Sequence, residues 1–279
     1  MVMLQRSDIQ TEEVLSWQGL HLLHFIGSSC SQKTRIFLKL KGIPCELHHV
    51  NLAEGEQYSD WFMGINPRGL VPVLVDDGQV IIESNDILLY LEEKFPSPAL
   101  IPDAQNAEAE ALLVAEDKLH LDLRTLSLRF VFPPERTVRG EDALALYEAK
   151  GSGTVQGESD PHKAVELAFF REIIKNNGIS DEQALSAIHN FKAAYDDLER
   201  RLSQSDYLLG DALSVIDIAW YIYSARLLAA GYPLQALHPA VAAWYAKLDA
   251  RPEFSEEVML PPLPPRPGPS LSELAGFTA

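Results

Sequence analysis

The stretch Gly69–Tyr90, GLVPVLVDDGQVIIESNDILLY, decides how the N-terminal part of the chain is read. Leu70 to Val75 is an aliphatic, β-branched run with one proline in it, and Val80 to Ile82 is a second such run. Asp76-Asp77-Gly78 lies between them, and an Asp-Gly pair flanked by apolar runs is a strong short-range hairpin signal. Glu83-Ser84-Asn85-Asp86 then sets cap-type residues ahead of Ile87, Leu88, Leu89 and Leu91, an apolar helical run. The predicted order is strand, hairpin, strand, helix. Pro72 has two readings. A proline removes a ladder donor, so it belongs at a sheet edge or a strand start. Alternatively the Val71–Pro72 bond is cis, kept so because the turn serves a purpose. The backbone N–H and C=O of Val71 would then be open to an extended peptide that adds like a further strand.

Working back toward the N-terminus, His21 to Phe25 reads as a strand and Gly27-Ser28-Ser29-Cys30-Ser31 as a turn of small residues. A helix follows, with Ile36, Phe37 and Leu40 at helical spacing and Gly42 as its C-cap. Cys45 to Leu52 alternates into a second strand. The sum is β-α-β, a polar loop, a hairpin and a helix, which fits a small mixed sheet. Residues 1–18 are polar and acidic and read as a loose arm. The turn at 27–31 carries the chemistry. A helix N-terminus gathers unpaired N–H groups and positive partial charge. That environment stabilises a thiolate, whether the protein's own or a bound one. A serine there can donate to such a thiolate; its ordinary role is an N-cap. Cys30 has an ordinary role too, as a small buried hydrophobe.

With 279 residues and 47% hydrophobic content, the chain can build one large or two ordinary domains. A net charge of −17 argues against a nucleic-acid partner and against an anionic membrane surface. Two cysteines, Cys30 and Cys45, are too few for a disulfide framework. No signal-type apolar region and no membrane-length apolar run is present, so a soluble, reducing, cytoplasmic setting is expected. His48 and His49 point to opposite faces of one strand and cannot chelate together. No Cys/His/Asp cluster has metal spacing, and no phosphate-binding glycine loop is present.

Beyond the helix, Pro96-Ser97-Pro98 and Pro102-Asp103 read as a linker. From Ala107 one helix is predicted up to Pro133-Pro134, carrying His120, Asp122 and Arg124. Residues 133–162 are poorly periodic, and such a segment within a compact domain is functional or mobile; we read it as a lid or pocket wall. Helices resume at Ala164–Lys175 and Asp181–Leu202. Ser214-x-x-Asp217 is a capping pair of structural use ahead of an apolar helix. After Arg251-Pro252 the tail LPPLPPRPGPS reads as a covering or disordered segment, or as a polyproline ligand.

The order NPRGLVPVL, hairpin, ESNDILLYLEEKFP resembles the glutathione-binding domain of the glutathione transferase superfamily. The resemblance implies an α/β, thioredoxin-like domain at 21–100 and an all-α helical-bundle domain at 105–255 with an insert near 133–162. An N-terminal arm at 1–20 and a proline-rich tail at 256–279 flank them. It implies that Val71, ahead of a cis Pro72, pairs with the cysteinyl backbone of glutathione, and that Glu83 and Ser84 hold its γ-glutamyl end. SSCSQKTRIFLKLKGI resembles the zeta class, the maleylacetoacetate isomerases, in which the first serine of the motif, here Ser28, is catalytic. It also resembles reductive dehalogenases of chlorinated hydroquinones, in which the cysteine matching Cys30 is the nucleophile. YSDWFMGINPRGLVPVL resembles bacterial β-aryl-ether-cleaving enzymes. One departure stands out: Gln57 and Tyr58 occur where some relatives place a basic residue for the glycyl carboxylate. The implied function is a cytoplasmic, homodimeric glutathione transferase of detoxification type. It would act on a small hydrophobic electrophile as isomerase, dehalogenase or β-etherase, with the helical stretch at 120–124 lining the second-substrate pocket. The rival is a non-catalytic glutathione-fold binding or scaffold protein.

Overall fold

Residues 1–132, 140–258 and 268–277 are described by the computed structural model of the protein. The chain builds β1 (Val2–Met3), β2 (Leu20–His24), α1 (Ser29–Lys41), β3 (Glu46–His49), α2 (Asp60–Met63), β4 (Val73–Asp76), β5 (Gln79–Ile82) and α3 (Ser84–Lys94). Then come α4 (Asn106–Asp117), α5 (His120–Leu126) and a π-helical turn at Ser127–Val131. After 140 it forms α6 (Glu141–Ala149), a short hairpin of β6 (Thr154–Val155) and β7 (Glu158–Ser159), and α7 (His162–Lys175). The remainder is α8 (Asp181–Leu202), α9 (Val215–Ala229), α10 (Leu234–Leu237), α11 (Pro239–Asp249), α12 (Pro252–Val258) and α13 (Leu271–Ala275).

The main sheet has the order β1-β5-β4-β2-β3, with β2 and β3 parallel and the other pairs antiparallel. Its central hairpin forms as the sequence predicts. Asp76 pairs with Gln79, and Asp77 and Gly78, at φ +48° and +82°, make the two-residue turn. Both left-handed residues are what such a tight turn requires. A Cβ on Gly78 would lie 2.3 Å from the Leu15 carbonyl oxygen, so only glycine fits there.

Side chains alternate across a strand, and one face of this sheet carries Leu23, Val73, Val75, Val80 and Ile82. The N-terminal segment covers that face. Leu4, Ile9 and Val14 join the same core with Phe62 and Ile65, and β1 pairs with β5 through Val2 opposite Ile82. The segment expected to be a loose arm is therefore built into the fold. Its apolar residues follow neither helical nor strand spacing because they serve two 3-10 turns, Arg6–Asp8 and Glu12–Ser16, laid over a sheet.

Two compact units result, and the first is discontinuous: residues 1–95 are joined by 140–177. This changes the boundaries drawn from sequence, which kept 105–255 in one helical domain. The added segment grips the N-terminal turns. Thr154 Oγ1 and the Gly157 N–H donate to Asp8 at 2.7 and 3.0 Å, and Gln5 Nε2 donates to the Gln156 carbonyl at 2.9 Å. Burial pushes the Asp8 carboxyl up, but these bonds and one from the Gln5 N–H outweigh it and hold the group below the usual carboxylate range. Tyr147 OH donates to the Arg68 carbonyl at 2.7 Å and Lys150 Nζ to the Tyr58 carbonyl at 3.0 Å. Residues 133–139, where the expected lid begins, lie outside the described residues.

The second unit comprises 96–132, 178–258 and 268–277. The single helix expected from Ala107 is interrupted at Lys118–Leu119 between α4 and α5. In α9 every residue from Val215 to Ser224 is buried, so no polar stripe marks it. The tail at 259–267 lies outside the described residues; beyond it, α13 buries Leu271, and Ser272 Oγ donates to the Gly231 carbonyl at 3.0 Å. Among the described residues no helix is long and apolar enough to cross a membrane.

Candidate active site

Helix α1 starts where the small-residue turn ends. Ser28 is its N-cap, in extended conformation, and its Oγ accepts from the Ser31 N–H at 3.3 Å. That bond uses an oxygen lone pair and leaves the hydroxyl proton for another acceptor. Cys30 is the second residue of the same first turn and is half-buried. Arg35 fixes the segment ahead of the turn: its guanidinium donates to the carbonyls of Phe25 and Ile26 at 3.2 and 3.0 Å and to His24 Nδ1 at 2.9 Å. Since arginine only donates, His24 carries its own proton on Nε2.

The Val71–Pro72 bond is cis, and β4 begins at Val73, so Val71 stands outside the ladder. Past the hairpin, Glu83 caps α3 with φ +70°, and Ser84 is the buried first residue of that helix. Buried Lys33, one turn beyond Cys30 on α1, donates to Asn85 Oδ1 at 2.7 Å. This bond ties the start of α3 to the first turns of α1. Residues far apart in sequence, Ser28 and Cys30 on one side and Glu83 and Ser84 on the other, are thus held by two linked helices of one unit.

Sequence reasoning missed the support for Glu83. Arg68 Nη1 donates to Glu83 Oε1 at 2.5 Å, while its Nε and Nη2 fork onto the two oxygens of Asp160 at 2.8 and 2.9 Å. Burial disfavours the Arg68 charge, but its bonds to Asp160 and Glu83 outweigh that and raise its pKa. Asp160 arrives from the segment after β7, so no local pattern marks the triad. Asp160→Ala should cost about 1.5–3 kcal/mol, the scale of hydrogen bonds between charged groups. Urea unfolding would show it as a lower midpoint at unchanged slope; an unchanged midpoint would mean that the fork is idle.

Gln57, at the position of the missing basic residue, is buried, and its Oε1 has no partner among the described residues. In the second unit, His120 Nδ1 lies 3.3 Å from Tyr223 OH, and Arg124 Nη2 lies 3.3 Å from His120 Nε2. Asp122 accepts from Asn190 at 2.9 Å, and burial still holds its carboxyl above the usual range.

A mixed sheet with a helix N-terminus at its chemical end, followed by a helical unit, defines a class. Residues 27–94 match the family described as glutathione S-transferase, N-terminal domain, and residues 181–247 match glutathione S-transferase, C-terminal domain. The chain is thus similar to the glutathione transferase superfamily in both of its units, a thioredoxin-like one and a helical one. Among its relatives, the zeta-class glutathione S-transferase of Euphorbia esula is 49% identical over 83 residues, 30% of this chain and 37% of that protein. Maleylpyruvate isomerase of Ralstonia sp is 36% identical over 128 residues, 46% of this chain and 59% of that one. The chain thus spans about half the length of such relatives. The crystal structure of beta-etherase LigF from Sphingobium sp. strain SYK-6 matches at 26% identity with a TM-score of 0.70, covering 86% of this chain and 98% of that one. Residues 95–180, Asp160 among them, lie outside both family descriptions.

Proposed function

We propose that the protein is a glutathione-dependent transferase acting on a small hydrophobic electrophile. The observation that carries this is the Lys33–Asn85 bond, which joins the Ser28–Cys30 turn to the Glu83–Ser84 corner. The corner suits a zwitterionic end group. The α3 N-terminus and Ser84 favour a carboxylate. Arg68 engages Oε1 of Glu83 among the described residues, leaving Oε2 for an ammonium. Val71 would supply main-chain pairing to the peptide between. Ser28 would donate to the thiolate at the positive end of α1, with Cys30 as helper or second nucleophile.

Glutathione supplies the thiolate. An isomerase would add it to an activated double bond, allow rotation and eliminate it. A dehalogenase would form a glutathionyl aromatic as halide leaves; a second thiolate would then attack its sulfur, forming a mixed disulfide with glutathione as the ring carbon takes a proton. An etherase would form the sulfur–carbon bond as the carbon–oxygen bond breaks and a phenolate leaves. The match to LigF along 85% of the chain favours ether cleavage among the three. A cytoplasmic, two-fold homodimer with a detoxifying role completes the reading.

Isothermal calorimetry tests it. The protein should bind glutathione, and Ser84→Ala should weaken binding by about 1.5–3 kcal/mol, the loss of a bond to a charged group. No binding by the unaltered protein would sink the enzyme reading and favour the scaffold.

A further inference from the structure

We propose that His21, Glu46 and His48 form a binding site for a zinc-class divalent cation, on the sheet face opposite the one that carries α1. The parallel register of β2 and β3 sets His21 beside Glu46, and His48, two residues on, shares that face. His21 Nδ1 lies 3.0 Å from His48 Nε2, and the Glu46 carboxylate lies 3.5 Å from the first and 3.6 Å from the second. Ligand bonds of about 2.0–2.2 Å in a tetrahedral shell put neighbouring donor atoms about 3.3 Å apart. The three groups stand at that spacing, and an ion needs only small side-chain shifts to sit among them.

The surroundings fit a metal centre further. The Gln18 carbonyl lies 3.0 Å from His21 Nε2, so Nε2 carries the proton and Nδ1 presents its lone pair to the cluster. This is the outer bond that orients ligating histidines. Trp17 stacks on the His48 ring at 4.6 Å and tilts against His21 at 4.7 Å, which fixes both rings. Without an ion, His48 Nε2–H donates to His21 Nδ1; an ion bound at Nε2 takes the other neutral tautomer, with the proton on Nδ1. Strand β3 is at the edge of the sheet and Glu46 is exposed, so the ion has a path in. Two histidines and one carboxylate leave a fourth position for water. His24 and His49 pair on the other face, so the expected separation of His48 from His49 holds while His48 gains a partner from β2.

The site is independent of the glutathione reading, and its test is direct. The full chain is titrated with zinc chloride by calorimetry and with cobalt chloride by visible absorption. One ion per chain is expected, with the d–d bands of a four-coordinate centre, and zinc should raise the thermal midpoint. His48→Gln and Glu46→Gln, both on the accessible edge strand, should each weaken binding about tenfold or more and abolish the zinc-dependent shift. No ion uptake overturns the proposal, as does uptake that the two variants share with equal affinity.

Discussion

Ser28→Ala should slow glutathione-dependent turnover by about 10²–10³, the scale of one lost donor to a developing or bound anion. The N-cap bond to Ser31 takes a lone pair of Ser28, so in the proposed mechanism the hydroxyl proton is what the variant would lose. The same change removes the cap and costs about 1 kcal/mol of stability, far too little to explain the lost rate. If Ser28 alone holds the thiolate, the pKa of bound glutathione should rise in the variant, and Cys30→Ser should leave isomerisation or ether cleavage largely intact. If Cys30 is a second nucleophile, Cys30→Ser should let a glutathionyl conjugate accumulate, because a hydroxyl cannot replace a thiolate in thiol exchange. Alkylation across pH separates the two. Burial, with the charges of Glu46 and Asp76, pushes the Cys45 thiol up to about 12, so Cys30 alone reports near neutrality. An alkylation pKa near that of free cysteine, about 8.5, would remove Cys30 as an activated nucleophile.

The largest loss of stability is expected at Asp217. Its Oδ1 accepts from the Leu208 N–H at 3.0 Å and Trp244 Nε1 at 2.8 Å. Its Oδ2 accepts from the Ser214 N–H at 2.8 Å and the Ser214 hydroxyl at 2.6 Å. One fully buried carboxylate thereby joins the loop before α9, the cap of α9 and a tryptophan of α11. Asp217→Ala leaves four buried donors without an acceptor and should cost about 3–5 kcal/mol. Asp217→Asn keeps one acceptor oxygen and should fall between. Urea unfolding followed by tryptophan fluorescence would read both, since Trp220 and Trp244 lie in this unit. A loss below about 1 kcal/mol for alanine would refute the role given to the carboxylate.

What could be read from sequence is what short-range chemistry encodes. The Asp77-Gly78 turn, the cap at Ser28, the left-handed Gly42 after α1 and the Ser214–Asp217 box each lie within a few residues of the element they define. The fork of Arg68 on Asp160 joins residues 92 apart, and nothing near either one announces the other. The facing of His21 with Glu46 and His48 depends on a parallel register, which neither strand carries in its own pattern. The covering of the sheet by residues 1–18 was hidden for a different reason: Leu4, Ile9 and Val14 stand five residues apart, a spacing that matches neither the helical nor the strand period.

The grip of the 140–177 segment on the N-terminal turns has a consequence for the order of events at the ribosome. Asp8 meets Thr154 across 146 residues, and Gln5 meets Gln156 across 151. Contacts of such long range close slowly, because the loop entropy is lost before they form. A nascent chain ending at residue 95 has every strand of the main sheet but lacks Thr154, which donates to Asp8, and Asp160, which accepts the Arg68 fork. At about 5–20 residues per second, those partners emerge several seconds later, after the first helices of the second unit. The domain that is first in sequence is therefore not the first that can be completed, and the growing chain must pass through a stage in which its N-terminal sheet waits for its final strap.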